Sequence, residues 1–309
     1  MRDGVIVLNK HRGISSHQAV QRVKRITHAK KAGHTGTLDP FATGVLPVLL
    51  NKATSVAQYL QNARKVYRGS VLLGTATNTL DFTGEVTETA AVPPLDRAEV
   101  ARVLKRLEGE QEQIPPMFSA VKIGGQPLYK MARQGMVVER KSKHVNIYSI
   151  DLETVEDGTI GFVVACSSGT YVRVLAADIA KRLGTVGHLI NLVRLANGAL
   201  KLEDAVSLDE LKVISQEGRL EEYVKSPNEA LSGFAALRVR PEAVRRMRNG
   251  QGFDTKDLIG EEPGESLEGG EILRVIDTDG ALVAMASPLH GQIQGGPIRF
   301  RVLRFLGGH

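Results

Sequence analysis

The first candidate for chemistry in this chain is a single carboxylate, Asp39, set in the turn GHTGTLDPFATG between Gly33 and Gly44. Three glycines and three threonines in twelve residues allow tight backbone turns while supplying N–H and hydroxyl donors that can orient an acid. Pro40 biases Asp39 toward extended geometry and removes the next amide donor. The turn lacks the GxxxxGK[ST] spacing of a nucleotide-binding P-loop. On composition alone it reads equally as a catalytic site and as a phosphate-binding scaffold with Asp39 as a helix cap. Its surroundings are basic: residues 1–70 hold 12 Lys or Arg against two acids, a local net charge of +10, whereas the whole chain carries only +6. Such asymmetry attracts phosphate backbones and speeds encounter with nucleic acid. A carboxylate in that field is expected to work on a polyanion.

Other chemistries find less support. Cys166 is the only cysteine, which excludes an internal disulfide, and its place in GFVVAC predicts a buried structural thiol rather than a nucleophile. The eight histidines show no ligand spacing; the pairs His11 and His17, and His28 and His34, are six apart, so no metal is predicted. Tryptophan is absent and aromatics make up 5%, which argues against an extended base-stacking platform. The apolar stretch GVIVLN is too short for a signal peptide core, and no run approaches the roughly 20 residues of a membrane span. A cytoplasmic location is expected.

With 309 residues and 42% hydrophobic content, the chain can bury one large core or two moderate ones. GVIVLNK reads as an opening strand, and Ser15 followed three residues later by Gln18 is a capping-box start for a helix through about Ile26. Arg22, Lys24 and Arg25 fall outside its apolar stripe, as a solvated face or as phosphate contacts. VLPVLL and VYRGSVLLG read as strands flanking a short helix, KATSVAQYLQ, and 95–108 as an amphipathic helix. HVNIYSIDLETV, TIGFVVACSS, VRVLAADIAKRLG and DAVSLDELKVI continue the alternation of strand-like and helical segments. SPNEALSGFAALRVRP, 226–241, has the composition of a linker. Beyond it, EAVRRMRNG reads as a helix and EILRVID, ALVAMAS and IRFRVLRF as strands of a small module, while GEEPGESLEGG (260–270) reads as a mobile loop. IRFRVLRF alternates apolar residues with Arg299, Arg301 and Arg304, as in a solvated or an RNA-facing sheet face.

GHTGTLDPFATGVLPV closely resembles the signature of the bacterial tRNA pseudouridine synthases of the TruB family. KVYRGSVLLGTATNTLDFTGEV (65–86), QIPPMFSAVKIGGQPLYKMARQG (113–135), CSSGTYVRVLAADIA (166–180) and GVIVLNKHRGISSH resemble family segments in the expected order, so the resemblance runs from about residue 3 to 200. It implies an α+β fold: a catalytic domain with a mixed, mainly antiparallel sheet over residues 1–232, then a small β-rich, PUA-like RNA-binding domain over 233–309. This chain departs from the family pattern at Lys10-His11, Phe118-Ser119-Ala120, Asn78 and Val193, none of which removes Asp39, Tyr67 or Arg173.

The resemblance implies that Asp39 is the catalytic carboxylate, that Tyr67 is the active-site tyrosine stacking on the flipped base and helping remove the C5 proton, and that Arg173 pairs with Asp39 and lowers its pKa. Without it, Tyr67 is a strand aromatic and Arg173 a surface charge. His34 is implied to meet flipped-out T-loop nucleotides, and Leu192 to line the pocket. Asp81 is implied to position loops or bind RNA, while beside Gly84 it also reads as a turn former, and Lys10 is implied to contact phosphate or pack beneath the site. Tyr171 would share a face with Arg173 if that segment were extended. The implied activity is isomerisation of the tRNA T-loop uridine at position 55 to pseudouridine, by a monomer that needs no cofactor, metal or protein partner. A non-catalytic tRNA-folding factor is the alternative from another class, and an RNA-guided, protein-dependent synthase of archaeal type ranks below both.

Overall fold

In the computed structural model, residues 3–260, 270–289 and 297–307 are described. The opening strand β1 (Gly4–Lys10) is followed by α1 (Ser16–Thr27), whose Ser15–Gln18 capping box forms as the sequence predicts. Then come β2 (Ala32–His34), β3 (Thr43–Leu50), α2 (Ala57–Asn62) after a short 3₁₀ turn, and β4 (Lys65–Leu73). A small hairpin, β5 (Thr75–Thr77) with β6 (Val86–Thr89), precedes α3 (Arg97–Lys105) and β7 (Gly109–Gln113). The next insert holds β8 (Lys122–Ile123), β9 (Gln126–Pro127) and α4 (Leu128–Arg133). Strands β10 (Lys143–Glu156) and β11 (Thr159–Cys166), helix α5 (Val172–Arg182), β12 (Gly187–Asn197), β13 (Leu200–Lys201) and α6 (Leu208–Gln216) follow.

The large sheet runs β1-β3-β12-β4-β11-β10-β7, with β2 on β3 and β13 on β12, and all its ladders are antiparallel except β3 with β12. This is the α+β, mainly antiparallel architecture expected. Both of its faces are covered near β1 and β3, which explains why GVIVLNK and VLPVLL are continuously apolar rather than alternating. Ile6, Leu8, Leu46 and Val48 enter one core with α1, α5 and α6. Val5, Val7, Val45 and Leu49 enter a second core, shared with Leu282 and Met285 of the C-terminal sheet.

That C-terminal sheet is ordered β14-β16-β17-β18-β15, from β14 (Ala236–Arg238), β15 (Phe253–Asp254), β16 (Leu273–Ile276), β17 (Leu282–Pro288) and β18 (Arg299–Phe305). Between β14 and β15 lies α8 (Pro241–Arg248), the predicted EAVRRMR helix. The expected linker at 226–241 is a structured segment. It holds α7 (Pro227–Ala230), with Ser226 and Glu229 forming a capping box, and then β14. Arg274 ties it down, its Nε donating to the Phe234 carbonyl at 2.8 Å and its Nη1 to that of Asn228 at 3.1 Å. Ser226 and Pro227 start a helix there, and Asn228 bonds to Arg274 and the Gly280 carbonyl, so these residues serve order rather than chain freedom. The loop expected at 260–270 falls almost wholly outside the described residues.

Candidate active site

The turn carrying Asp39 is pinned from several directions. Ser16, the first residue of α1, donates its hydroxyl to the Leu38 carbonyl at 3.0 Å and accepts from the Leu38 amide at 2.8 Å. The Gly13 amide donates to the Pro40 carbonyl at 2.8 Å, and Asn197 Nδ2 to the Thr35 hydroxyl at 3.1 Å. The turn's last glycine is needed sterically: Gly44 has φ +98°, and a Cβ there would lie 2.3 Å from the Arg194 carbonyl. That close approach is the parallel contact of β3 with β12, which pairs Gly44 with Arg194. The glycine-rich composition thus serves a rigid platform under Asp39.

Arg173, in the first turn of α5, grips this platform. Its Nε lies 2.9 Å from Asp39 Oδ2, and its Nη2 lies 3.3 Å from Oδ1. The same guanidinium donates to the carbonyls of Thr79 and Phe118, both at 2.8 Å, and Nη1 stands 3.6 Å from Asp81 Oδ2. One buried arginine therefore joins α5, the hairpin loop before β6, the 113–121 insert and the turn that carries Asp39. The sequence resemblance implied that Arg173 lowers the Asp39 pKa; the net direction is the opposite. Burial raises the carboxyl above its ordinary value, with Arg173 opposing that rise. A third of the side chain opens to the cavity, yet the carboxyl is ringed by protein and loses enough hydration for burial to win.

The cavity beside Asp39 measures about 500 Å³ and is lined by Tyr67, Tyr171, Leu192, Arg173, Lys65 and Arg194 among others. Tyr67 is on β4, 7% exposed, and burial pushes its phenol up while Arg194 pulls it down. Leu192, on β12, supplies an apolar wall. Tyr171 is there for another reason than the one expected. Arg173 begins a helix, so strand alternation does not apply; Tyr171 is the N-cap residue of α5, its amide donating to Gln113 Oε1 at 2.8 Å.

Two expected substrate contacts are placed elsewhere. Lys10 has no exposed surface, and its ammonium donates to the carbonyls of Ile14 (2.9 Å), His11 (3.0 Å) and Pro40 (3.3 Å). It cannot reach a phosphate and packs beneath the site, with burial bringing its pKa down to about 8. Asp81 is buried as well, accepting from the Thr79 hydroxyl at 2.9 Å and the Thr83 amide at 3.0 Å. It shapes a turn and faces Arg173 rather than solvent. His34, on β2, is not part of the cavity lining; its Nδ1 is buried without a hydrogen-bond partner, and burial followed by Arg194 and His17 lowers its pKa.

Lys65 and Arg194 were not anticipated. Lys65 lies two residues before Tyr67 and Arg194 two residues after Leu192, each on the pocket-facing side of its strand. A charged residue in phase with the buried positions of an apolar strand was the available signal. Among the described residues no three His, Cys, Asp or Glu converge as a metal ligand set, and no helix is long and apolar enough to cross a membrane.

A carboxylate held by a buried arginine beside a tyrosine and a leucine is the set of residues that the sequence resemblance implied for a pseudouridine synthase. Comparison with known proteins agrees: the profile of the TruB family pseudouridylate synthase N-terminal domain matches residues 24–172. A Geobacter sulfurreducens protein named tRNA pseudouridine synthase B is 40% identical over 302 residues, covering 98% of this chain and 99% of its own. The Bacillus subtilis protein of that name is 37% identical over 294 residues, covering 93% and 94%. A crystal structure of a Cbf5–Nop10–Gar1 complex contains a chain that superposes with a TM-score of 0.77 at 26% identity, over 98% of this chain and 85% of that one. The chain belongs to the TruB family of pseudouridylate synthases.

Proposed function

We propose that this enzyme isomerises the T-loop uridine at position 55 of tRNA to pseudouridine, with Asp39 as the catalytic carboxylate. The supporting observation is the Asp39–Arg173 ion pair at the wall of a cavity that Tyr67 also lines. Relatives of about 40% identity carry tRNA pseudouridine synthase names, which supports tRNA as the substrate class.

The chemistry in this reading starts from that pair. The target uridine flips out of the T-loop, because C1′ and C5 are inaccessible within it, and stacking in the pocket offsets an unstacking cost of a few kcal/mol. Asp39 then attacks C1′, or removes the C2′ proton to give a glycal; either route breaks N1–C1′. Both begin from the ionised carboxylate that Arg173 orients. After the base rotates, C5 bonds to C1′, and Tyr67 assists loss of the C5 proton. Leu192 and Tyr171 bound the base, and His34 contacts nucleotides flipped out beside it.

Basic groups outside the pocket account for backbone binding. An open cleft of about 1150 Å³ is lined by Lys30, Lys31, Lys52 and Arg304, joining the catalytic sheet to β18. T-arm phosphates lie on the N-terminal domain in this reading, and residues 233–309, as a PUA-like domain, extend the contact beyond residues 1–232. The enzyme works as a cytoplasmic monomer with no cofactor or protein partner. The test is incubation of purified protein with bare tRNA transcript, followed by mapping of pseudouridine. Conversion at position 55 without added partner supports the reading. No conversion, or conversion only with a guide RNA or partner protein, overturns it.

A further inference from the structure

Two cations in the pocket take no part in the Asp39–Arg173–Asp81 network. Lys65, 5% exposed, donates its ammonium to the carbonyls of Gln61 and Ala63, both at 2.7 Å, at the C-terminal end of α2. Those bonds use two of its three N–H groups. Arg194 has no exposed surface and donates from Nε to the Val45 carbonyl at 2.6 Å and from Nη2 to the Gly36 carbonyl at 3.1 Å. Its guanidinium carbon lies 6.0 Å from the centre of the Tyr67 ring. A Cβ on Gly36 would be 3.5 Å from both Arg194 Nη1 and Lys65 Cε, so the catalytic turn meets both cations at one residue.

Neither cation forms an ion pair among the described residues; their partners are carbonyl dipoles. Burying two like charges near each other without a carboxylate is unfavourable. The conflict shows at Lys65, which burial and then Arg194 bring down to about 8. An arrangement of this kind is suited to an anion that is present only part of the time.

The isomerisation generates one. When N1–C1′ breaks, both bonding electrons leave with the base, and C1′ gains the Asp39 oxygen or, on the glycal route, C2′ gives its proton to Asp39. The uracil is then an anion with charge spread over N1, O2 and O4. We propose that Lys65, as a catalytic residue that offers its remaining N–H, and Arg194, as a positioning residue whose charge acts from within the pocket wall, stabilise the detached uracil anion while it turns from N1 to C5. Fixed donors aimed at charge that develops during reaction act without reorganisation in a site of low dielectric. The balance closes when C5 bonds to C1′ as the Asp39–C1′ bond breaks, or on the glycal route as Asp39 returns its proton to C2′; C5 then loses its proton and N1 takes one. The inference rests on the uridine-isomerase reading above.

The test compares T-arm RNAs carrying uridine or 5-fluorouridine at the target position, in single-turnover cleavage of the glycosidic bond. Fluorine withdraws electrons and makes the base a better leaving anion, so it reduces the need for the cations. Lys65→Met is expected to lose roughly 10²-fold on uridine but several-fold less on 5-fluorouridine, with RNA affinity unchanged. Lys65→Arg, which keeps the charge, retains most of the uridine rate and a wild-type melting curve. Arg194→Gln, which removes the charge, should show the same dependence on leaving group. Equal losses on both RNAs, an unchanged uridine rate in Lys65→Met, or a loss confined to RNA affinity with a shallower salt dependence would each overturn the proposal, the last by indicating a phosphate contact. A Lys65→Arg variant as impaired as Lys65→Met would also overturn it. If the wild-type protein converts neither RNA, the isomerase reading itself fails.

Discussion

Arg173 and Asp39 meet through two contacts, 2.9 Å and 3.3 Å, and the same guanidinium fills its remaining directions with the Thr79 and Phe118 carbonyls. The pair is a structural junction and, in the proposed reaction, also the reactive group. Arg173→Lys removes the planar fork and cannot satisfy all four partners. Activity should fall by roughly 10²-fold or more, in line with loss of an orienting donor. Arg173→Ala leaves Asp39 and Asp81 facing each other in a buried site and should cost about 3–5 kcal/mol of stability. Chemical denaturation checks the second value and turnover on T-arm RNA the first.

The titration of Asp39 sets the acid side of the activity profile. Burial raises its pKa, so the reactive ionised form is lost at a pH above the ordinary carboxylate range as the solution is acidified. The stability sign is opposite to that of a salt-bridged acid with a depressed pKa. Between its unfolded and folded pKa values the unfolded chain releases a proton that the folded one retains, so ionising Asp39 destabilises the fold as pH rises. Asp39→Asn should therefore melt at or above the wild-type temperature. On the alkaline side Lys10 and Lys65, both near 8, lose charge, and activity should decline there. For these lysines the unfolded chain binds more protons between about pH 8 and 10, so their contribution to stability rises over that range while activity falls. A pH–rate profile beside melting curves tests both halves.

Lys10 distinguishes packing from RNA contact. Its ammonium fastens three carbonyls, including that of Pro40 next to Asp39. Lys10→Met should lower kcat by displacing the catalytic turn, while RNA affinity and its salt dependence stay unchanged. A phosphate-contacting lysine would instead weaken binding and flatten the slope of log K against log salt by about one.

Gly44→Ala should break the junction of β3 and β12. At φ +98° and with the Arg194 carbonyl 2.3 Å from the new methyl, neither the backbone nor its neighbour can give way cheaply. A loss of more than about 2 kcal/mol is expected, read by thermal melting, with activity falling further because Arg194 moves.

Much of this was legible in the residues, for identifiable reasons. β1, the α1 capping box and the strands on either side of α2 rest on local apolar runs and caps, which act over a few residues. The union of Asp39, Tyr67 and Arg173 depends on contacts across more than 100 positions, and no periodicity could supply it; the ordered family strings did. The direction of the Asp39 pKa was misjudged because a charge partner is visible in a sequence and burial is not. For Lys10 the sequence left phosphate contact and packing beneath the site both open, and only its three carbonyl partners decide for packing. At 226–241 the capping residues of α7 imitated a linker. Lys65 and Arg194 were visible as charges in phase with the buried positions of β4 and β12, a signal overlooked beneath the general basicity of the region.

In the proposed reaction everything depends on the Asp39 carboxylate. Tritium release from T-arm RNA labelled at uridine C5 should proceed with the wild-type protein. It should fall by at least ~10³-fold with Asp39→Asn, in keeping with removal of a group that initiates reaction, while RNA binding and the melting temperature are maintained. Release by Asp39→Asn at the wild-type rate would contradict the account.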